Sequence, residues 1–120
     1  MLKPLKSKNK IETIFEKGFV IKEDGLILKA YDFKDGESSF GVSVPKKIFA
    51  SAVNRNRIKR LLKEGVRTAS GSVKLSPGLS FFLIYTNSKI LPHEEVFLKV
   101  KKNLIYLFAL VYISLKTVEF

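Results

Sequence analysis

The chain has 120 residues, carries a formal net charge of +11 and is 46% hydrophobic. That length fits one domain, residues 1–120, and that apolar fraction excludes a disordered polycation. There is no cysteine, which excludes disulfides and a cysteine-ligated metal centre and suits a reducing compartment.

The opening MLKPLKSKNK is basic and lacks an apolar signal core, so no secretory signal is expected. Ser7 can cap a short helix with Ile11, Ile14 and Phe15 on one face and Gly18 as its stop. A strand is expected near Phe19–Lys22, and another over GLILKAY (25–31). KDGE (34–37) holds an Asp-Gly turn signal. SFGVSVP (39–45) alternates Phe40, Val42 and Val44 with Gly41, Ser43 and Pro45. It therefore reads as the second strand of a hairpin with 25–31, ended or edged by Pro45.

AVNRNRIKRLLKEGVR (52–67) follows, with Ser51 as its cap. On a helical wheel Ile58, Leu61, Leu62, Val66 and Ala69 gather on one side. Arg57, Lys59, Arg60, Lys63 and Arg67 spread over the other. Gly65 is tolerated at a cost of roughly 1 kcal/mol against Ala. SGSVKLSPG (70–78) reads as a loop, and FFLIYT (81–86) as a central strand. A last helix runs from Pro92 to about Leu115, with Glu94 and Glu95 at its positive end. Its stretch LIYLFALVYI falls well short of the roughly 20 residues needed to span a bilayer. The sum is an α+β two-layer sandwich in the order αβββαβα, a small mixed sheet packed by helices.

No catalytic constellation stands out. His93 is the only histidine and sits at a helix start, where a surface or capping role is the ordinary one. Asp32 and Asp35 bracket a turn, as Asp commonly does, although a carboxylate pair can also bind a divalent ion. Gly71 and Gly78 lack the context of a phosphate loop. If the chain serves an enzyme, something else supplies the chemistry.

The charge is local. Lys3, Lys6, Lys8 and Lys10 crowd the first ten residues without an acid. Lys46, Lys47, Arg55, Arg57, Lys59, Arg60, Lys63, Arg67 and Lys74 face only Glu64 across 46–74, and the rest is near neutral. Such clustering is the footprint of a polyanion-binding surface. An ordinary solvated helix would interleave Glu with Lys. Arginine offers a planar fork for phosphate, lysine a flexible charge, and asparagine an amide for base edges or 2′-hydroxyls.

The spelling adds to this. PKK followed by AVNRNRIKRLLKE resembles the signature of the bacterial ribonuclease P protein subunit. LKSKNKIETIFEKG resembles that family's opening helix with its Phe-x-x-Gly end, here Phe15 to Gly18. The strands, including FFLIYT, come in the family's order. The resemblance implies a protein that binds a large catalytic RNA and precursor tRNA. The RNA, using Mg²⁺, removes the 5′ leader; the protein itself binds no metal and holds no catalytic residue. It also implies a cytoplasmic protein, one per RNA, without a membrane partner, and a left-handed strand–helix–strand crossover.

By position, Lys46, Lys47, Arg55, Asn56, Arg57, Lys59, Arg60 and Lys63 match the family's RNA-binding motif, and Arg67 extends it. Arg55 and Arg57 are assigned mainly to the catalytic RNA; Asn56, Arg60 and Lys63 are expected to face the leader. The leader cleft maps to Ile11, Phe15, Lys29, Tyr31 and Phe40. Ile11 and Lys29 depart from the family, which often has aromatics there. Three other readings stay open: a general RNA-binding module, a nuclease using Asp32 and Asp35, and a membrane-surface protein using the last helix. That helix also leaves self-association open.

Overall fold

The computed structural model describes residues 2–23, 25–70 and 78–118, with backbone alone at residue 23 and over 108–118. Its elements are β1 (Lys3–Pro4), α1 (Lys8–Lys17), β2 (Phe19–Glu23), β3 (Leu26–Asp32), β4 (Ser39–Ser43), α2 (Ala52–Ser70), β5 (Leu79–Tyr85) and α3 (His93–Val118). Residues 71–77 of the loop expected over 70–78, Lys74 among them, and the side chains of 108–118 lie outside the described residues.

The five strands form one mixed sheet in the order β1-β4-β5-β3-β2. The α+β class and the mixed sheet packed by helices are as expected. β5 takes the central place its unbroken apolar run called for. The expected hairpin between 25–31 and 39–45 does not form. β5 lies between β3 and β4, antiparallel to the first and parallel to the second. A run apolar on both faces gains most where strands cover both edges, so it displaces the local pairing. The hairpin is instead β2–β3, which reverses between Glu23 and Leu26. There the sequence reads Asp24-Gly25, the same turn signal, and Gly25 has φ +78°.

β1 is an edge strand parallel to β4. Lys3 and Leu5 donate their N–H groups to Ser38 and Phe40 carbonyls at 3.0 and 2.9 Å. Pro4, which has no N–H, falls between them, as an edge permits.

Strand alternation gives the sheet two different faces. Leu28, Ala30, Phe81 and Leu83 are completely buried and join Ile58, Leu62 and Val66 of α2 with Val100, Leu104 and Leu107 of α3 in the main core. Truncating one of these leucines to Ala is worth about 2–5 kcal/mol. On the opposite face, Phe82 meets Phe15 of α1 with ring centroids 5.3 Å apart. So α1 covers one face, and α2 with α3 the other.

Ser7 caps α1 as expected, its hydroxyl accepting from Lys10 N at 3.3 Å. Gly18 does end the helix, but not through a left-handed conformation: its φ is −67°. A Cβ there would lie 2.4 Å from the Ile14 carbonyl oxygen and 2.8 Å from that of Ala30. Gly18 is needed because helix end and sheet backbone approach too closely for a side chain.

Candidate nucleic-acid interface

The Ser51 hydroxyl accepts from Asn54 N at 3.4 Å, and its carbonyl from Arg55 N at 3.1 Å, which starts α2. The preceding turn, closed by Ile48 and Phe49 N–H groups on the Pro45 carbonyl at 3.1 Å, carries Lys46 and Lys47 exposed. Phe49 is buried and packs on Tyr85, ring centroids 6.1 Å apart.

Arg55 does not simply face solvent. Its Nη1 donates to the Phe49 carbonyl at 2.8 Å and the Ala50 carbonyl at 2.7 Å. Part of this guanidinium therefore fixes the turn that bears Lys46 and Lys47. Only its remaining N–H groups are left for a phosphate.

Ile58, Leu62, Val66 and Ala69 are fully buried and Leu61 half-buried, so α2 presents its polar side outward as the wheel requires. Asn56, Arg57, Arg60, Lys63 and Arg67 are exposed, and Lys59 is half-buried. Among the described residues no carboxylate forms an ion pair with Arg57, Lys59, Arg60, Lys63 or Arg67. Glu64 turns instead to His93, 3.4 Å away. The N-terminal lysines differ. Lys3 pairs with Glu37 at 3.5 Å and Lys10 pairs with Asp35. Uncompensated positive charge is thus concentrated on α2, and the opening segment adds less than its composition suggests.

A second surface lies between α1 and the sheet. Phe15 is 40% exposed, braced by Phe82 and covered by the Lys29 Nζ 4.8 Å from its ring centroid. Ile11, half-buried, lies one turn before Phe15. Tyr31 follows Lys29 on the same strand face and packs on Phe33 at 4.9 Å. Lys10 Nζ sits 5.0 Å from the Phe33 ring centroid, which ties the start of α1 to this edge.

Phe40 does not belong to that surface. Its register partner is Phe81, and the two rings stack at 5.8 Å on the opposite face of the sheet. It borders α2 near Lys63 and Arg67 instead. Grouping it with Phe15, Lys29 and Tyr31 is corrected on this ground. Lys63, expected beside the leader cleft, shares Phe40's side.

Sequence reasoning missed Phe82, which supports Phe15 from below. A Cβ on Gly41 would lie 2.5 Å from the Phe82 ring, so that glycine makes room for it. An apolar run such as FFLIYT hides which of its phenylalanines faces which side. Only the register shows it.

Asp32 and Asp35 are each engaged in the turn: Asp32 accepts from Lys34 N at 2.9 Å and Asp35 from Glu37 N at 3.0 Å. Lys10, hydrogen-bonded to Asp35, and the Glu37 N–H hold the Asp35 carboxyl below its ordinary value. Among the described residues, no group of three or more His, Cys, Asp or Glu side chains could hold a metal ion. No described helix is long and apolar enough to cross a membrane.

Comparison with known proteins places this architecture. The family model described as Ribonuclease P matches residues 2–109. A ribonuclease P protein component of Clostridium kluyveri is 34% identical over 80 residues, spanning 67% of this chain and 70% of that protein. One from Legionella pneumophila (strain Corby) is 40% identical over 63 residues, 52% of this chain and 55% of its own length. The solved RNase P protein from Thermotoga maritima superposes with a TM-score of 0.73 at 20% identity, covering 85% of this chain and 94% of that one. The cationic helix with its Arg-Asn-Arg core, the mixed sheet around it and the extent of these matches have one explanation: the chain belongs to the ribonuclease P protein family.

Proposed function

We propose that this chain is the protein subunit of ribonuclease P. It binds the catalytic RNA through the exposed face of α2 and the Lys46–Lys47 turn. It holds the single-stranded 5′ leader of precursor tRNA on the surface formed by Ile11, Phe15, Lys29 and Tyr31. The RNA carries out the Mg²⁺-dependent hydrolysis that frees the mature 5′ end. One protein serves one RNA, in the cytoplasm.

The observation that carries this reading is the row of cations on α2 without carboxylate partners, in a chain of this family. A helix face so charged attracts phosphates, and each duplex contact contributes about 0.9 to the log–log salt slope. The protein's cations also offset repulsion between catalytic RNA and substrate, which lowers the Mg²⁺ needed.

The test is cleavage of leader-bearing precursor tRNA at low Mg²⁺ by the cognate catalytic RNA, with and without protein, beside a protein-only control. Protein is expected to accelerate cleavage at the mature 5′ end and to cut nothing alone. RNA binding without any gain in cleavage would reduce the function to general RNA binding.

A further inference from the structure

On the face of the sheet away from Phe15, Leu2, Pro4, Phe40 and Val66 line a groove of about 370 Å³ together with Lys63 and Arg67. That volume lies within the range of small-ligand sites, about 300–1,000 Å³. We propose that this groove is a nucleobase pocket. One unstacked base of a single-stranded RNA enters against Phe40, and its flanking phosphates are held by Lys63 and Arg67. The proposal rests on the RNA-binding reading above and adds a subsite to it.

Three features support the assignment. The Phe40 ring lies nearly parallel to Phe81, 20° between planes at 5.8 Å, so it is a backed platform and not a swinging side chain. Aromatic platforms of this kind bind bases of any identity through their π-faces. Lys63 and Arg67 stand one helical turn apart, a like-charge spacing that mildly destabilises a helix. No carboxylate pairs with either among the described residues, so an anion is the missing complement. Finally, no acid is among the described residues lining the groove. An apolar slot flanked by two cations fits a planar body with negative neighbours on both sides. A strand reaching this pocket from the Phe15 surface passes around the β1–β4 edge of the sheet.

The experiment uses the full chain and a single-stranded RNA of about six nucleotides carrying 2-aminopurine, read by fluorescence and by affinity across a salt series. Phe40→Leu keeps an apolar contact on Phe81 and removes the platform. It is expected to reduce the stacking quench and weaken binding by roughly fivefold or more. The double variant Lys63→Gln/Arg67→Gln is expected to reduce the log–log salt slope by about 1.4. Arg57→Gln reports on the rest of α2. If it weakens binding while Phe40→Leu binds and quenches like the unaltered protein, the pocket is overturned and the RNA-binding reading stands. The same holds if only the lysine–arginine pair matters. If the unaltered protein binds no RNA at all, both readings fall. Crosslinking of a 4-thiouridine RNA to the unaltered protein needs no variant. Adducts at Phe40 or residues 63–70 are expected, and adducts confined to α1 and β3 overturn the pocket.

Discussion

The Lys29 Nζ lies 4.8 Å from the centroid of the Phe15 ring, so a cation closes over the aromatic surface that this family's resemblance assigns to the leader. Phe82 braces the same ring. Phe15 is therefore flanked by a charge as well as by a ring, and on the leader surface proposed above phosphate attraction would replace part of the stacking. Lys29→Tyr is expected to preserve affinity for a leader-bearing RNA within a fewfold while lowering the log–log salt slope by about 0.7. A titration series between low and moderate salt reads both. An unchanged slope would place Lys29 outside the RNA's path.

Arg55 and Arg57 stand two residues apart and do different work. Arg55 holds the Phe49 and Ala50 carbonyls, whereas Arg57 is exposed and has no carboxylate partner among the described residues. Hydrogen bonds from a charged group are worth about 1.5–3 kcal/mol, and half-exposure puts this site at or below the low end. Arg55→Ala is expected to lower unfolding stability by about 1–1.5 kcal/mol in urea, by that same loss. Arg57→Ala should stay within about 0.5 kcal/mol of the parent yet weaken RNA binding more per unit of stability lost. Equal stability effects would remove the structural role given to Arg55.

What could be read from the chain divides along a physical line. The helices, the cap at Ser7, the amphipathic division of α2 and the centrality of FFLIYT depend on local spacing, and the sequence displays local spacing directly. Strand partners depend on contacts between residues distant in sequence. The Asp-Gly at 35–36 looked like a hairpin turn, as does Asp24-Gly25, but only the latter joins paired strands. The site follows the same rule. Arg57, Arg60, Lys63 and Arg67 lie on the exposed side their wheel positions require. Phe40 could not be assigned to a face, because its register with Phe81 is set by β5. Arg55's hold on the Phe49 and Ala50 carbonyls was equally hidden, since it depends on how the turn after Pro45 folds back toward α2.

The tie between Lys10 and Asp35 makes a pH prediction with a definite sign. The Lys10 hydrogen bond, then the Glu37 N–H, holds the Asp35 carboxyl below the ordinary value of 3.8. A carboxyl depressed in the folded state contributes stability that is present above its unfolded pKa and is lost as pH falls through the folded one. Docking of the start of α1 on the 34–37 turn should therefore persist through neutral and mildly acidic pH and loosen only below the usual carboxylate range. An NMR titration of the Asp35 carboxyl is expected to give a midpoint below 3.8, and Lys10→Gln should return it upward. A midpoint unchanged by Lys10→Gln would mean the pair does not persist in solution.

Asn103 is completely buried in α3, and among the described residues neither its side-chain oxygen nor its nitrogen has a hydrogen-bond partner. An unsatisfied buried amide costs about 1–3 kcal/mol, and an apolar side chain of similar size removes that cost. Asn103→Leu is thus expected to raise the urea midpoint with an unchanged m-value. A loss of stability would show that the amide is satisfied in solution by a group such as a buried water.

Two glycines separate close backbone approach from simple helix propensity. A Cβ at Gly18 would meet two carbonyl oxygens at 2.4 and 2.8 Å, and these belong to backbone that cannot step aside without moving α1 off β3. At Gly65, buried where α2 crosses α3, the nearest atom to a new Cβ is Val100 Cγ2 at 3.4 Å, an ordinary contact. Gly65→Ala gains the propensity difference of about 0.8–1.0 kcal/mol at no steric cost. It should raise Tm by a few degrees, because about 1 kcal/mol corresponds to roughly 4 °C in a domain of this size. Gly18→Ala should lower Tm and loosen α1, exposing its amides to hydrogen exchange before those of β5. The comparison is internal, since both changes add one methyl group to the same fold. Equal effects of the two would mean that the distance between helix end and sheet does not govern how α1 is seated.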